Sequence, residues 1–158
     1  MNNNNNTQLK DLLKKIQGIL NSGSLRAILE SKDLALIGDS LVNFLFSTLK
    51  IGLFGMSGNV HVRDNVLKNA MDLSKLREKL GKNTKPGRVA DAAESLIAFA
   101  YIQNIMTIYG MVEYLSQRIN ENDFITTKME NEALSTAFSE LLVRIYYLIN
   151  QSELITKE

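Results

Sequence analysis

The segment LALIGDSLVNFLFSTL, residues 34–49, sets the first limit on how this chain can fold. It is apolar almost throughout, as in a helix enclosed by its neighbours. Gly38 and Asp39 nevertheless interrupt its centre. Glycine inside a helix costs roughly 1 kcal/mol relative to alanine. A carboxylate among leucines needs a partner, a cation or a proton. Side by side the two costs have a joint rationale: without a Cβ at 38 a second backbone can come close, and Asp39 then faces whatever that second element carries.

The surrounding sequence is helical in character. Leu, Ile, Ala, Lys and Glu abound, Pro86 is the only proline, and no strand-like alternation or repeat occurs. Residues 1–6 form an Asn-rich, low-complexity start expected to be disordered, and residues 7–158 read as one domain. Thr7 is expected to cap a helix whose Leu9, Leu12, Leu13, Ile16 and Leu20 share an apolar face. A short helical piece runs to Glu30. Ser31 or Asp33 then caps the central helix, expected to be buried on most sides.

Gly52, Gly55 and Gly58 predict a loop, followed by a helix from about Val62 to Leu80 with Gly81 as its stop. Residues 88–119 are long enough for two helices, or for one bent near Gly110. NENDF separates them from a last helix, roughly Thr127 to Asn150. The fold class is all-α, with roughly five to seven helices.

Composition removes several chemistries. With no cysteine there is no disulfide framework, thiolate metal site or Cys nucleophile. The single histidine, His61, excludes sites that need two imidazoles from one chain, and no G-x-S-x-G elbow accompanies it. His61 reads as a polar residue in a loop or at a helix start. The N-terminus lacks the apolar core of a signal peptide, and no uninterrupted apolar run approaches the roughly 18 residues of a membrane span. The expectation is a cytoplasmic protein without membrane contact. The net charge of +1 is uninformative, but KLREKLGKNTKPGR, residues 75–88, carries one acid, Glu78, among its many bases. Such a stretch is either an anion or nucleic-acid contact or a solvated surface.

A second unusual stretch, ADAAESLIAF at residues 90–99, places Asp91 and Glu94 three apart on one helix face, with Cβ atoms about 5–6 Å apart. Like charges there repel, and the apolar neighbours imply partial burial. A hard divalent cation such as Mg²⁺ or Mn²⁺ would relieve both problems. Alternatively one acid faces water or pairs with Lys85 or Arg88. Read with Gly38–Asp39, the stretch suggests a crossing of two helices at which Asp39, Asp91 and Glu94 form a metal cup, with Ala35, Ala92, Ala93 and Ala98 permitting close approach. Asn43 and Asn65 are polar residues expected near that cup, either supporting it or making ordinary caps and core hydrogen bonds.

These two stretches resemble the ribonuclease III catalytic domain. Its first motif reads approximately E-x-L-E-F-L-G-D-[AS]-[LV]-[LV], onto which LALIGDSLV aligns without a gap at Gly38–Asp39. Its second reads approximately A-D-x-x-E-A-[LI]-[IL]-[GA]-[AG], onto which ADAAESLIAF aligns with Asp91 and Glu94 on the two acids. The resemblance spans roughly residues 9 to 150. It implies the family's helical endonuclease fold and an endoribonuclease that hydrolyses double-stranded or structured RNA with Mg²⁺ or Mn²⁺, leaving 5′-phosphate and 3′-hydroxyl ends.

It also implies that Asp39, Asp91 and Glu94 are catalytic metal ligands, and that the protein is a homodimer in which each protomer cuts one strand. Phe44, Leu45, Phe46 and Leu49 cannot all face one core, so some either reach a partner subunit or belong to a helix buried all round. Lys82, Lys85 and Arg88, just before the second motif, are candidate RNA contacts, with a solvated loop as the alternative. The pattern departs at Ala35, where the family has a metal-binding Glu, and at Lys32, where it has an upstream acid. Asp33 lies about 120° round the helix from Asp39 and is poorly placed to substitute.

The compact Mini-III branch is similar in carrying Ala at the first of these positions, and it is catalytic. With only QSELITKE after the last helix, a stand-alone archaeal-type or Mini-III-like domain without a double-stranded RNA-binding domain is expected. The alternatives are a ribonuclease III fold that binds RNA or ribosomal particles without cutting, and a helical protein–protein module.

Overall fold

The computed structural model describes residues 3–55, 61–152 and 154–155, with side chains from residue 7 onward. Among the described residues there are seven α-helices, two short 3-10 turns and no strand. The helices are α1 (Asn3–Asn21), α2 (Leu25–Leu29), α3 (Lys32–Phe54), α4 (Asp64–Leu73), α5 (Pro86–Ile102), α6 (Ile108–Ser116) and α7 (Thr127–Gln151). The all-α expectation holds.

Local chemistry accounts for most boundaries. Ser31 caps α3, its Oγ accepting from the Leu34 N–H at 3.2 Å, and Gly55 ends it in the left-handed region at φ 71°. Pro86 opens α5, where a missing N–H costs nothing. Thr126 caps α7 by accepting from the Met129 N–H at 3.2 Å.

Several boundaries differ from the sequence expectation. Helix α1 starts at Asn3, so Thr7 lies within it rather than at its cap; residues 1–2 lie outside the described residues. Gly52 is inside α3 rather than in a loop, and Gly58 lies outside the described residues. The helix expected from Val62 to Leu80 is shorter, because Lys75 turns into the left-handed region at φ 61° and a 3-10 turn, Leu76–Lys79, follows. The long stretch after Pro86 breaks at residues 103–107, with Asn104 at φ 54°, and Gly110 sits inside α6.

Helix α5, not α3, is the enclosed one. Its buried residues include Val89, Ala90, Ala92, Ala93 and every position from Ser95 to Ala100. The small alanines let α2, α3, α4 and α7 all pack against it. Ser95 Oγ, buried, donates to the Ser31 carbonyl at 2.9 Å and ties α5 to the start of α3.

Helix α3 buries Leu34, Val42, Leu45, Phe46 and Leu49 but turns Leu36, Phe44 and Ile51 outward. By length and apolar content alone α3 could cross a membrane, a test that a helix packed into a bundle core also meets. The apolar face of α1 is only partly covered: Ile16 is buried, whereas Leu9 and Leu13 are exposed.

Gly38 marks the tightest point of the α3–α5 crossing. A Cβ there would overlap the Glu94 carbonyl and come within 2.8 Å of Glu94 Cα. Only glycine allows this approach, and it sets Asp39 beside Glu94.

Candidate functional site

The α3–α5 crossing opens on one side into a cavity of about 560 Å³. Helix α3 contributes Asp39, Ala35, Leu36 and Lys32; α5 contributes Asp91, Glu94 and Arg88. A third wall comes from His61 and from Asp64, the first residue of α4. The three acids expected from sequence thus line one cavity.

Each acid has its own surroundings. Asp39, half-buried, accepts from Asn43 Nδ2 at 2.9 Å through Oδ1. Asp91, also half-buried, is paired with Arg88 Nη1 at 2.9 Å through Oδ2. The same guanidinium reaches the Glu30 carbonyl at 3.2 Å through Nη2. The alternative weighed for Asp91, pairing with Arg88, is therefore present alongside the shared cavity.

Among the described residues no cation is paired with Glu94. Burial first, and then the negative charge of Asp39, Asp91 and Asp64, push its carboxyl up to about 8. At neutral pH Glu94 holds a proton that a competing cation would displace.

The donor set is all hard carboxylate oxygen, the chemistry that suits Mg²⁺ or Mn²⁺. Its present arrangement is not closed on an ion: among the described residues no three acid or imidazole side chains are set to hold one. Arg88 engages Asp91 through Oδ2 and Asn43 engages Asp39 through Oδ1, so each carboxylate keeps its second oxygen for an ion.

Of the basic residues expected to contact RNA, the structure separates one from the rest. Arg88 is inside the acidic cavity and half-buried. Lys82 and Lys85 are exposed on the turn leading into α5, and Lys85 lines a second, smaller depression with Glu30, Thr84 and Arg88. Asn65 is exposed and does not line the cavity, unlike Asn43's neighbour Asp39.

Asp64, His61 and Lys32 also line the cavity, and no sequence pattern marks them as site residues. An acid at the first position of a helix is favoured by the helix dipole whatever its role, so Asp64 gives no local anomaly. Lys32 and Ala35 line the cavity where the resembled motif carries acids, so α3 supplies one carboxylate and one cation to it.

A family model described as ribonuclease III matches residues 32–151, from the first residue of α3 to the last of α7. No curated protein matches the sequence.

Proposed function

Because the chain belongs to the ribonuclease III family, we propose that it is an endoribonuclease that cuts double-stranded or structured RNA with Mg²⁺ or Mn²⁺ held by Asp39, Asp91 and Glu94. One observation carries this reading. The acids of two motifs far apart in sequence line the same cavity, at a crossing that Gly38 makes possible.

Bound there, a divalent cation would acidify the attacking water and neutralise charge building on the phosphate. The chain's own residues prepare the site. Asn43 holds one oxygen of Asp39. Arg88, which lines the cavity beside Asp91, offers a guanidinium whose geometry is well suited to a phosphate oxygen. Glu94 would give up its proton in order to hold the cation. Lys82 and Lys85, exposed on the turn that leads into α5, supply phosphate contacts that follow the shape of A-form RNA.

An exposed apolar surface supports the homodimer. Leu36, 73% exposed, and Phe44, 54% exposed, project from α3. With Leu12 of α1 and Ile37 and Leu41 they line an open depression of about 510 Å³. Leu36 borders both this depression and the acidic cavity, so a second copy seated here would bring two cavities near one another.

A second reading, RNA binding without cutting, is favoured by Ala35 and by the unclosed donor set. One assay separates the two. Wild-type protein with Mg²⁺ is expected to cleave long duplex RNA, and Glu94→Gln to abolish cleavage while retaining RNA binding. Binding without cleavage at every Mg²⁺ and Mn²⁺ concentration establishes the second reading. Cleavage that survives Glu94→Gln removes the proposed site.

A further inference from the structure

We propose that Asn43 is the positioning residue of this site, a single side-chain amide that fixes Asp39 and docks the segment carrying His61 and Asp64 beside it. The inference rests on the nuclease reading above. Asn43 lies one turn after Asp39 on the same face of α3. Its Nδ2 donates to Asp39 Oδ1 at 2.9 Å, and its Oδ1 accepts from the Val62 N–H at 2.9 Å. Both ends of one planar group are therefore engaged. Turning the amide over would set its oxygen against a carboxylate and its NH₂ against another N–H, so the two partners define a single orientation.

The contact with Val62 reaches across 19 positions of sequence. Val62 is buried at 3% exposure and precedes α4, so no helical hydrogen bond serves its N–H. Asn43 thus fixes where the chain lies just before Asp64, and with it the third wall of the cavity. On the other side, engagement of Asp39 Oδ1 leaves Oδ2 as the oxygen to offer a cation. The amide couples the two: the Asp39 rotamer and the seat of the 61–64 segment are set together.

A merely structural tether would influence stability alone. A positioning residue must also alter how the site takes up a cation. The test uses the full chain with Asn43→Ala, and Asn43→Ser as a milder variant should the first fail to fold; Thr48→Ala, a half-buried position of α3 whose hydroxyl donates to the Phe44 carbonyl of the same helix, is the control. Amide hydrogen exchange at Val62 is read in metal-free protein. Mn²⁺ alone is the probe of the site, its half-saturating concentration read by electron paramagnetic resonance without RNA.

The expected result is at least about tenfold faster Val62 exchange together with at least about tenfold weaker Mn²⁺ binding, while Thr48→Ala matches wild type in both. Unchanged Val62 exchange overturns the inference, because the bridge is then not what holds the segment. Faster exchange with unchanged Mn²⁺ binding also overturns it, leaving a tether only. Wild-type protein that binds no Mn²⁺ overturns the nuclease reading and this inference with it, whereas Mn²⁺ binding that the variants leave intact overturns the inference alone.

Discussion

Replacing Gly38 by alanine tests the α3–α5 crossing on which the site is built. The new methyl would overlap the Glu94 carbonyl and sit 2.8 Å from its Cα. These are backbone atoms of an enclosed helix, so no side chain can swing aside and the helices must separate. Overpacking costs about 1–3 kcal/mol, with the upper end appropriate to an unyielding backbone. Alanine returns about 1 kcal/mol of helix propensity. The net loss is about 2 kcal/mol, a fall in Tm of about 4–8 °C for a chain this size.

Gly52→Ala is the internal control. It lies in the same helix with nothing within 4 Å of the added Cβ, so propensity acts alone and stability rises by about 0.5–1 kcal/mol. Thermal unfolding followed by circular dichroism compares the two. If Gly38→Ala is as stable as wild type, α3 and α5 do not meet as described, and the closeness of Asp39 to Glu94 goes with them.

The raised Glu94 carboxyl predicts a pH effect of definite sign. The folded state holds this proton more tightly than the unfolded state, so the stability it contributes is full below 4.5 and is lost as pH rises to about 8. At about 1.4 kcal/mol per unit the whole shift would be worth roughly 5 kcal/mol. Solvent screening of a half-exposed group reduces this to about 1–2 kcal/mol. Urea denaturation across that range should show the decline in wild type without divalent cation, and little of it in Glu94→Gln; equal profiles would contradict the assignment. Lys82→Ala and Lys85→Ala should each lower the salt dependence of duplex RNA binding by about one unit of slope, and an unchanged slope would remove that lysine from the RNA contact. Leu36→Glu should give a folded monomer by sedimentation, since Leu36 is 73% exposed in the protomer; a retained dimer places the interface elsewhere.

The acids were legible because each broke a local rule. Asp39 stands among leucines after an interior glycine, and Asp91 and Glu94 repel one another three positions apart in an apolar helix. Asp64 broke none, being exposed in the first turn of α4 where an acid is ordinary. Its place in the cavity depends on a segment docked by Asn43 from 19 residues away, which no local pattern encodes.

Which of two apolar helices is enclosed was equally hidden. Periodicity shows that α3 and α5 are apolar, but the alanines of α5 decide that neighbours close around it instead. Lys75 at φ 61° ends α4 early at a residue type that rarely adopts that conformation. The leucines of α1 recur at helical spacing, but amphipathic spacing says nothing of what covers that face, and Leu9 and Leu13 remain exposed.

The most direct measurement locates Mn²⁺ by its anomalous scattering in crystals of the wild-type protein. The expected result is an ion contacted by carboxylate oxygens of Asp39, Asp91 and Glu94. Crystals saturated with Mn²⁺ in which no ion touches these acids would contradict the shared-cation site.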